Sequence, residues 1–165
     1  MDRDTEWFDP SSIIRNSNEI TDIFGYWPTF HDAWIQSINL TVGSGENWEQ
    51  GYGSEPPTLV MKVHVYEMTK DVTAEGYIVL AKHTFAELKF LDIEKLELRN
   101  FSYQNSIYEL VFETELADQP GPGGIYAEVL RVKLQSSHGV RAEFRCQSAE
   151  VVSAVPCDAN GNVNL

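Results

Sequence analysis

Basic residues are the scarce component of this chain. Twelve lysines and arginines stand against twenty-five aspartates and glutamates, a formal net charge of −13 over 165 residues. Nucleic acids select basic surfaces, because lysine and arginine displace the counterions condensed on phosphates. The balance therefore argues against a nucleic-acid binder and favours solubility and attraction of a cationic partner. Cysteine is scarce too: Cys146 and Cys157 are too few for a disulfide framework, which suits a reducing cytoplasm. No apolar run approaches the roughly 20 residues a helix needs to cross a bilayer. Met1 to Trp7 carries neither the basic nor the apolar stretch of a secretory leader. There is no Walker loop, no Rossmann glycine pattern and no HExxH. Gly121-Pro122-Gly123-Gly124 is no phosphate cradle, since its proline lacks a backbone donor and no helix pattern follows.

What is present is a globular composition, 42% hydrophobic and 12% aromatic. Its length suits one domain with a core of its own, read as residues 1–156 followed by a polar tail at 157–165. Asp9 to Ile14 suggests a short helical turn. Ser17 reads as an N-cap, and Ile20, Ile23 and Phe24 recur at helical spacing before Gly25 stops the helix.

Beyond Ala33 the period changes to two. Strands are predicted at Ala33 to Val42 (Ile38, Leu40 and Val42 on one face), Thr58 to Met68, Tyr77 to Asp92, Ile93 to Phe101, Ile107 to Leu116, Ile125 to Leu134 and Val140 to Val155. Tyr77 to Asp92 is apolar on both phases, which calls for a bulge or bend, with Ile78, Leu80, Leu88 and Phe90 as core candidates. Polar turns at Gln104-Asn105-Ser106 and Ser136-Ser137-His138-Gly139 imply antiparallel neighbours. The expected fold is α+β and mainly β: a twisted antiparallel sheet, rolled or two-layered, with one or two short N-terminal helices.

The stretch Phe24-Gly25-Tyr26-Trp27-Pro28-Thr29-Phe30-His31-Asp32-Ala33 is the least generic part of the chain. Pro28 fixes its own φ and drives Trp27 toward an extended conformation, so the segment should be a stiff turn feeding a strand. This run resembles the opening signature of the immunity protein 50 family of bacterial polymorphic toxin systems. Asn100-Phe101, Gln104-Asn105-Ser106-Ile107, Phe144-Arg145-Cys146 and Pro156 stand where weaker landmarks of that family are expected, so the likeness spans about Ile20 to Pro156. Trp34 departs from it, standing where an acidic residue is expected. The resemblance implies a non-catalytic protein without cofactor or metal, whose partner is a cognate toxin domain. The acidic charge suits a cationic toxin, and a nuclease would fit.

Three alternatives come from single residues. His31-Asp32 suggests catalysis. The plainer reading has Asp32 accepting backbone N–H groups while His31 packs among aromatics with its ring N–H satisfied. As strand neighbours the two would point to opposite faces and share no metal. Cys146 with His31 and Asp32 could form a nucleophilic triad in space, or Cys146 could be a small core residue. His64 and His83 could meet across a strand pair, but a zinc site normally needs three or four ligands. An enzyme of hydrolase type and a β-scaffold adaptor therefore stand beside the immunity reading.

The long connection Gly43 to Pro57 carries Glu46, Trp48, Glu49, Tyr52 and Glu55 on a glycine-rich backbone. Acidic groups steer a cationic partner, and Trp and Tyr become interface hot spots more often than other residues. These five are the candidate partner contacts. Trp27, Pro28, Phe30, His31 and Asp32 are the motif residues.

Overall fold

The computed structural model describes residues 8–42 and 55–163. The elements are β1 (Ile14–Arg15), α1 (Asn18–Phe24), β2 (Trp34–Thr41), β3 (Thr58–Val72), β4 (Ile78–Leu91), β5 (Glu94–Arg99), β6 (Ser106–Leu116), β7 (Glu128–His138), β8 (Arg141–Cys146) and β9 (Ser148–Pro156). They form one nine-stranded sheet in the order β1-β9-β4-β3-β2-β6-β7-β8-β5. The fold is α+β and mainly β, as expected. All pairings are antiparallel except β1 with β9, which makes the sheet mixed. Among the described residues no helix is long and apolar enough to cross a membrane.

The sheet closes on itself at one corner. Leu91 of β4 pairs with Ser148 of β9, and Glu94 of β5 pairs with Arg145 of β8. Each step is three residues on along one strand and three back along the other, so the antiparallel register passes through the bend. Asp92, at φ +55°, turns the first strand. Gln147 turns the second, its N–H donating to the Leu91 carbonyl at 2.9 Å. β4–β5 and β8–β9 are thus two bent strands of one ribbon, and the order β3-β2-β6-β7 completes a roll around them. The apolar run Val140 to Val155, expected as one strand, is divided at this corner. Its first half pairs with β7 and β5, its second with β4 and β1.

Aromatic rings fill the roll. Phe90 on β4 stacks on Phe112 of β6 at 6.2 Å and meets Phe144 of β8 edge-on at 5.0 Å. In a flat sheet of this order β4 and β8 would lie five strand spacings apart, about 24 Å, so these contacts exist because the sheet is rolled.

Local irregularities redirect the expected faces. β2 shifts register between Ile35 and Ser37, so Ile35 and Ile38 both reach the core while Leu40 and Val42 are exposed. β4 has the expected bulge, opposite Val65–Glu67, with Lys82 at φ +52°. Leu88 and Phe90 are buried, but Ile78 and Leu80 lie beyond the bulge on a projecting hairpin and are exposed. Ser17 stands at the start of α1 without capping it: its hydroxyl donates to the Ser11 carbonyl at 2.7 Å. Gly25 ends the helix at φ +84°, donating to Thr21 at 2.7 Å. Residues 157–163 form a compact turn in which the Asp158 carboxylate accepts from the Asn160 and Asn162 backbone N–H groups.

Asn105 stitches β2, β6 and the β7–β8 turn together. Its carbonyl accepts from Ile35 N–H at 2.9 Å. Its side-chain oxygen accepts from the Ser102 and Val140 N–H groups at 3.0 and 3.2 Å, and its amide donates to the Ser102 carbonyl at 2.6 Å. The β7–β8 turn closes over it through Gly139 at φ +81°, where a Cβ would stand 2.2 Å from the Gln104 carbonyl oxygen. Asn105→Ala leaves the buried Val140 N–H without its acceptor, which costs about 1–3 kcal/mol. Urea unfolding should show the midpoint falling with the slope unchanged, and an unchanged midpoint would refute the role.

Candidate functional site

The motif turn closes the roll where β2 has not yet begun. β2 covers β3 only from Thr58 to His64 and meets β6 only at Trp34↔Ser106. Beside the rest of β3 and β6 lies the segment Tyr26 to Ala33. On the β3 side the Tyr26 hydroxyl donates to Glu67 at 2.6 Å, and the Tyr66 hydroxyl donates to the Asp32 carbonyl at 2.8 Å. On the β6 side Asp32 N–H donates to the Ile107 carbonyl at 2.9 Å, and Ile107 N–H returns a bond to Ala33 at 2.9 Å.

Trp27, Pro28 and Phe30 point inward and are buried. Trp27 packs on Phe30 at 5.5 Å and on Phe112 at 6.4 Å, joining the turn to the column of rings inside the roll. Phe30 holds φ +60° and Asp32 φ +62°. A left-handed conformation costs an L-residue about 1–2 kcal/mol. Burying a phenylalanine ring contributes about 1.5–3 kcal/mol, enough to hold Phe30 there.

His31 and Asp32 sit in this turn and not on a strand, because the positive φ of Asp32 interrupts the alternation. Their side chains therefore share a side, with His31 Nε2 3.7 Å from Asp32 Oδ2 and both groups partly exposed. His31 Nδ1 lies 2.8 Å from the Tyr108 carbonyl. A carbonyl only accepts, so Nδ1 carries the proton. The imidazole also meets the Tyr108 ring edge-on at 5.4 Å. The Asp32 carboxylate takes no backbone N–H among the hydrogen bonds of the described residues; the backbone of Asp32 makes the bonds of the turn instead.

A groove of about 830 Å³ opens beside the turn. One wall is the turn itself with Phe8, Pro10 and Met68; the other is β6 from Tyr108 to Glu113. Successive residues of a strand point to opposite faces, so a cleft that touches six in a row follows the strand's edge, and this one also reaches over β6 to Lys133 and Gln135 of β7. Sequence periodicity marked Ile107 to Leu116 as a strand but could not show this edge, which depends on β2 beginning only at Trp34. A smaller cleft of about 370 Å³ lies over β5, β7 and β8, lined with charges of both signs.

The other candidates fall elsewhere. Cys146 is buried, and desolvation, with Asp92 nearby, pushes its thiol up to about 12, the opposite of an activated thiolate. His64 and His83 do meet, at 3.1 Å between Nε2 and Nδ1, across the β4 bulge. Among the described residues no three His, Cys, Asp or Glu side chains converge as a metal site. Glu55 is exposed; Glu46, Trp48, Glu49 and Tyr52 lie outside the described residues.

The histidine pair has a measurable consequence. Burial, then the neighbouring His83, lowers the His64 pKa below its ordinary 6.5, partly opposed by Asp158. The unfolded chain thus takes up this proton first, so the contribution of neutral His64 is complete above 6.5 and is lost as pH falls below it. Between about pH 7.5 and 5.5, thermal unfolding of the native chain should lose more in Tm than that of His64→Gln. Parallel profiles would refute the assignment.

No curated protein and no solved structure matches the chain. The family model described as Immunity protein 50 matches residues 16–156. That span takes in the motif turn, both bent strands and every strand of the sheet except β1, and the chain belongs to the immunity protein 50 family.

Proposed function

We propose that the protein neutralises a cognate bacterial toxin in the cytoplasm by binding it directly and occluding its working surface. Membership of the immunity protein 50 family carries this reading. The charge supports it. Arg15, Lys82, Lys89, Lys95, Arg99, Arg131, Lys133 and Arg145 each lie within 4.0 Å of a carboxylate of the same chain. With most of its cations engaged internally, the protein presents its −13 net charge to a partner, and such a field steers a cationic surface into encounter. A nuclease is the toxin class that suits it best, since carboxylates can follow a track built for phosphates.

No chemistry by the protein's own side chains is needed. The Cys146 thiol is buried and held protonated, and His31 spends its Nδ1 proton on the Tyr108 carbonyl. We assign partner contacts to Glu46, Trp48, Glu49, Tyr52 and Glu55, where acidic steering and aromatic anchors occur together.

Co-expression with its cognate toxin domain should restore growth, and the purified pair should co-elute. Absence of both would end the immunity reading. Trp48→Ala should weaken the complex about tenfold, the loss expected of an aromatic anchor, while Tm stays at the native value. Unaltered affinity would remove the Gly43–Pro57 segment from the interface.

A further inference from the structure

The groove beside the motif turn has a backbone for one wall. We infer that it receives an extended, basic segment of the toxin, which adds to the edge of β6 as a further strand. The inference rests on the reading of this chain as a toxin-binding protein and names the surface and the chemistry of the contact.

The first argument is main-chain hydrogen bonding. β7 pairs with one side of β6 along its whole length, from Ser106 to Leu116. On the other side, among the described residues, the pairing ends with Trp34↔Ser106, the bonds at Ile107 and the His31 imidazole on the Tyr108 carbonyl. From Glu109 onward no described strand takes that edge. An open edge is a template for strand addition. Here the edge faces the groove from Tyr108 to Glu113, and β6 from Glu109 to Leu116 offers about 27 Å of ladder.

Charge selects the occupant. Glu109 and Glu113 stand on the strand wall. Of the cations facing them from β7, Lys133 is already held by Glu113 at 3.2 Å, and Arg131, opposite Glu113, is held by Glu143. Glu109 has no ion-pair partner among the described residues, so the wall keeps negative charge for an incoming lysine or arginine. Exposed Tyr108, Phe8 and Met68 line the same groove. An aromatic face and a thioether suit the aliphatic stem of a basic side chain and the cation at its end.

The apolar face of the β3–β4 hairpin continues this surface. Met68 is opposite Leu80, and Val72 opposite Ile78. Directly opposed residues share a face, and Ile78 and Leu80 share one by period two. All four therefore project together, and all are exposed. Met68 belongs to this face and to the groove. A toxin whose basic strand lies along β6 would rest its body against the hairpin.

Hydrogen exchange of the purified protein, alone and with the cognate toxin domain, tests the inference. Amides between Glu109 and Leu116 should gain protection in the complex. Calorimetric titration should show Glu109→Lys weakening binding about tenfold with a shallower salt dependence. Tyr108→Ala should weaken it with Tm unchanged. A complex that forms while these amides exchange at the free rate would overturn the strand addition and leave toxin binding standing. Protection in the protein alone that grows with its concentration would assign the edge to a second copy and also overturn it. No complex and no growth rescue would remove both readings.

Discussion

A column of aromatic rings ties the two ends of this molecule together. Phe30, Trp27, Phe112, Phe90 and Phe144 touch in sequence, each pair within 6.4 Å, and they come from the motif turn, β6, β4 and β8. Ring pairs of this kind contribute about 0.5–1.5 kcal/mol each beyond the area they bury. More important is where they are. The contact of Phe90 with Phe144 requires the bent ribbon at Asp92 and Gln147. That of Trp27 with Phe112 requires the turn to fold into the mouth of the roll. Sheet curvature, strand corner and turn conformation are three aspects of one packing arrangement.

The sequence made part of this plain. Helix α1 with its stop at Gly25, the alternation of Leu59, Met61, Val63 and Val65, and the bulge in the long apolar run of β4 are local signals, and local periodicity reports them. The stiff turn was legible from Pro28 and the crowded aromatics. What was not legible depends on partners distant in the chain. Ile78 and Leu80 carry the hydrophobicity of core residues, yet they lie past the bulge on a hairpin that extends beyond the roll. The division of Val140 to Val155 leaves almost no trace in composition, because the strand continues through a corner of one residue, Gln147. The side chains of His31 and Asp32 share a side only because Asp32 adopts positive φ.

Electrostatics adds a second layer without setting the fold. Exposed ion pairs contribute little to stability, about 0–1 kcal/mol each, so the pairs along β6, β7 and β8 are weak as fasteners. Their effect on the field is larger. Arg145 is held between Glu115 and Asp118, Arg131 by Glu143 and Lys133 by Glu113. Bases spent in this way present little free positive charge to a partner, and the unbalanced carboxylates set the sign of the surface. The acidity of the chain is then a property suited to encounter, felt within about 8 Å at physiological salt.

The motif turn explains why no described strand takes the edge of β6 beyond Tyr108. Space between β3 and β6 would ordinarily hold another strand, which would satisfy the main-chain groups of both. The segment from Tyr26 to Ala33 occupies that space with a buried indole, a buried proline and two residues at positive φ. Such a segment can fill volume, but it cannot run a ladder. It bonds β6 at Ile107 and, through a side chain, at Tyr108, and goes no further. Packing is complete on the inside of the turn while hydrogen bonding is left incomplete along its outer margin. A plug built from rings in place of a strand closes the core and leaves, among the described residues, a groove with an unpaired strand edge beside it.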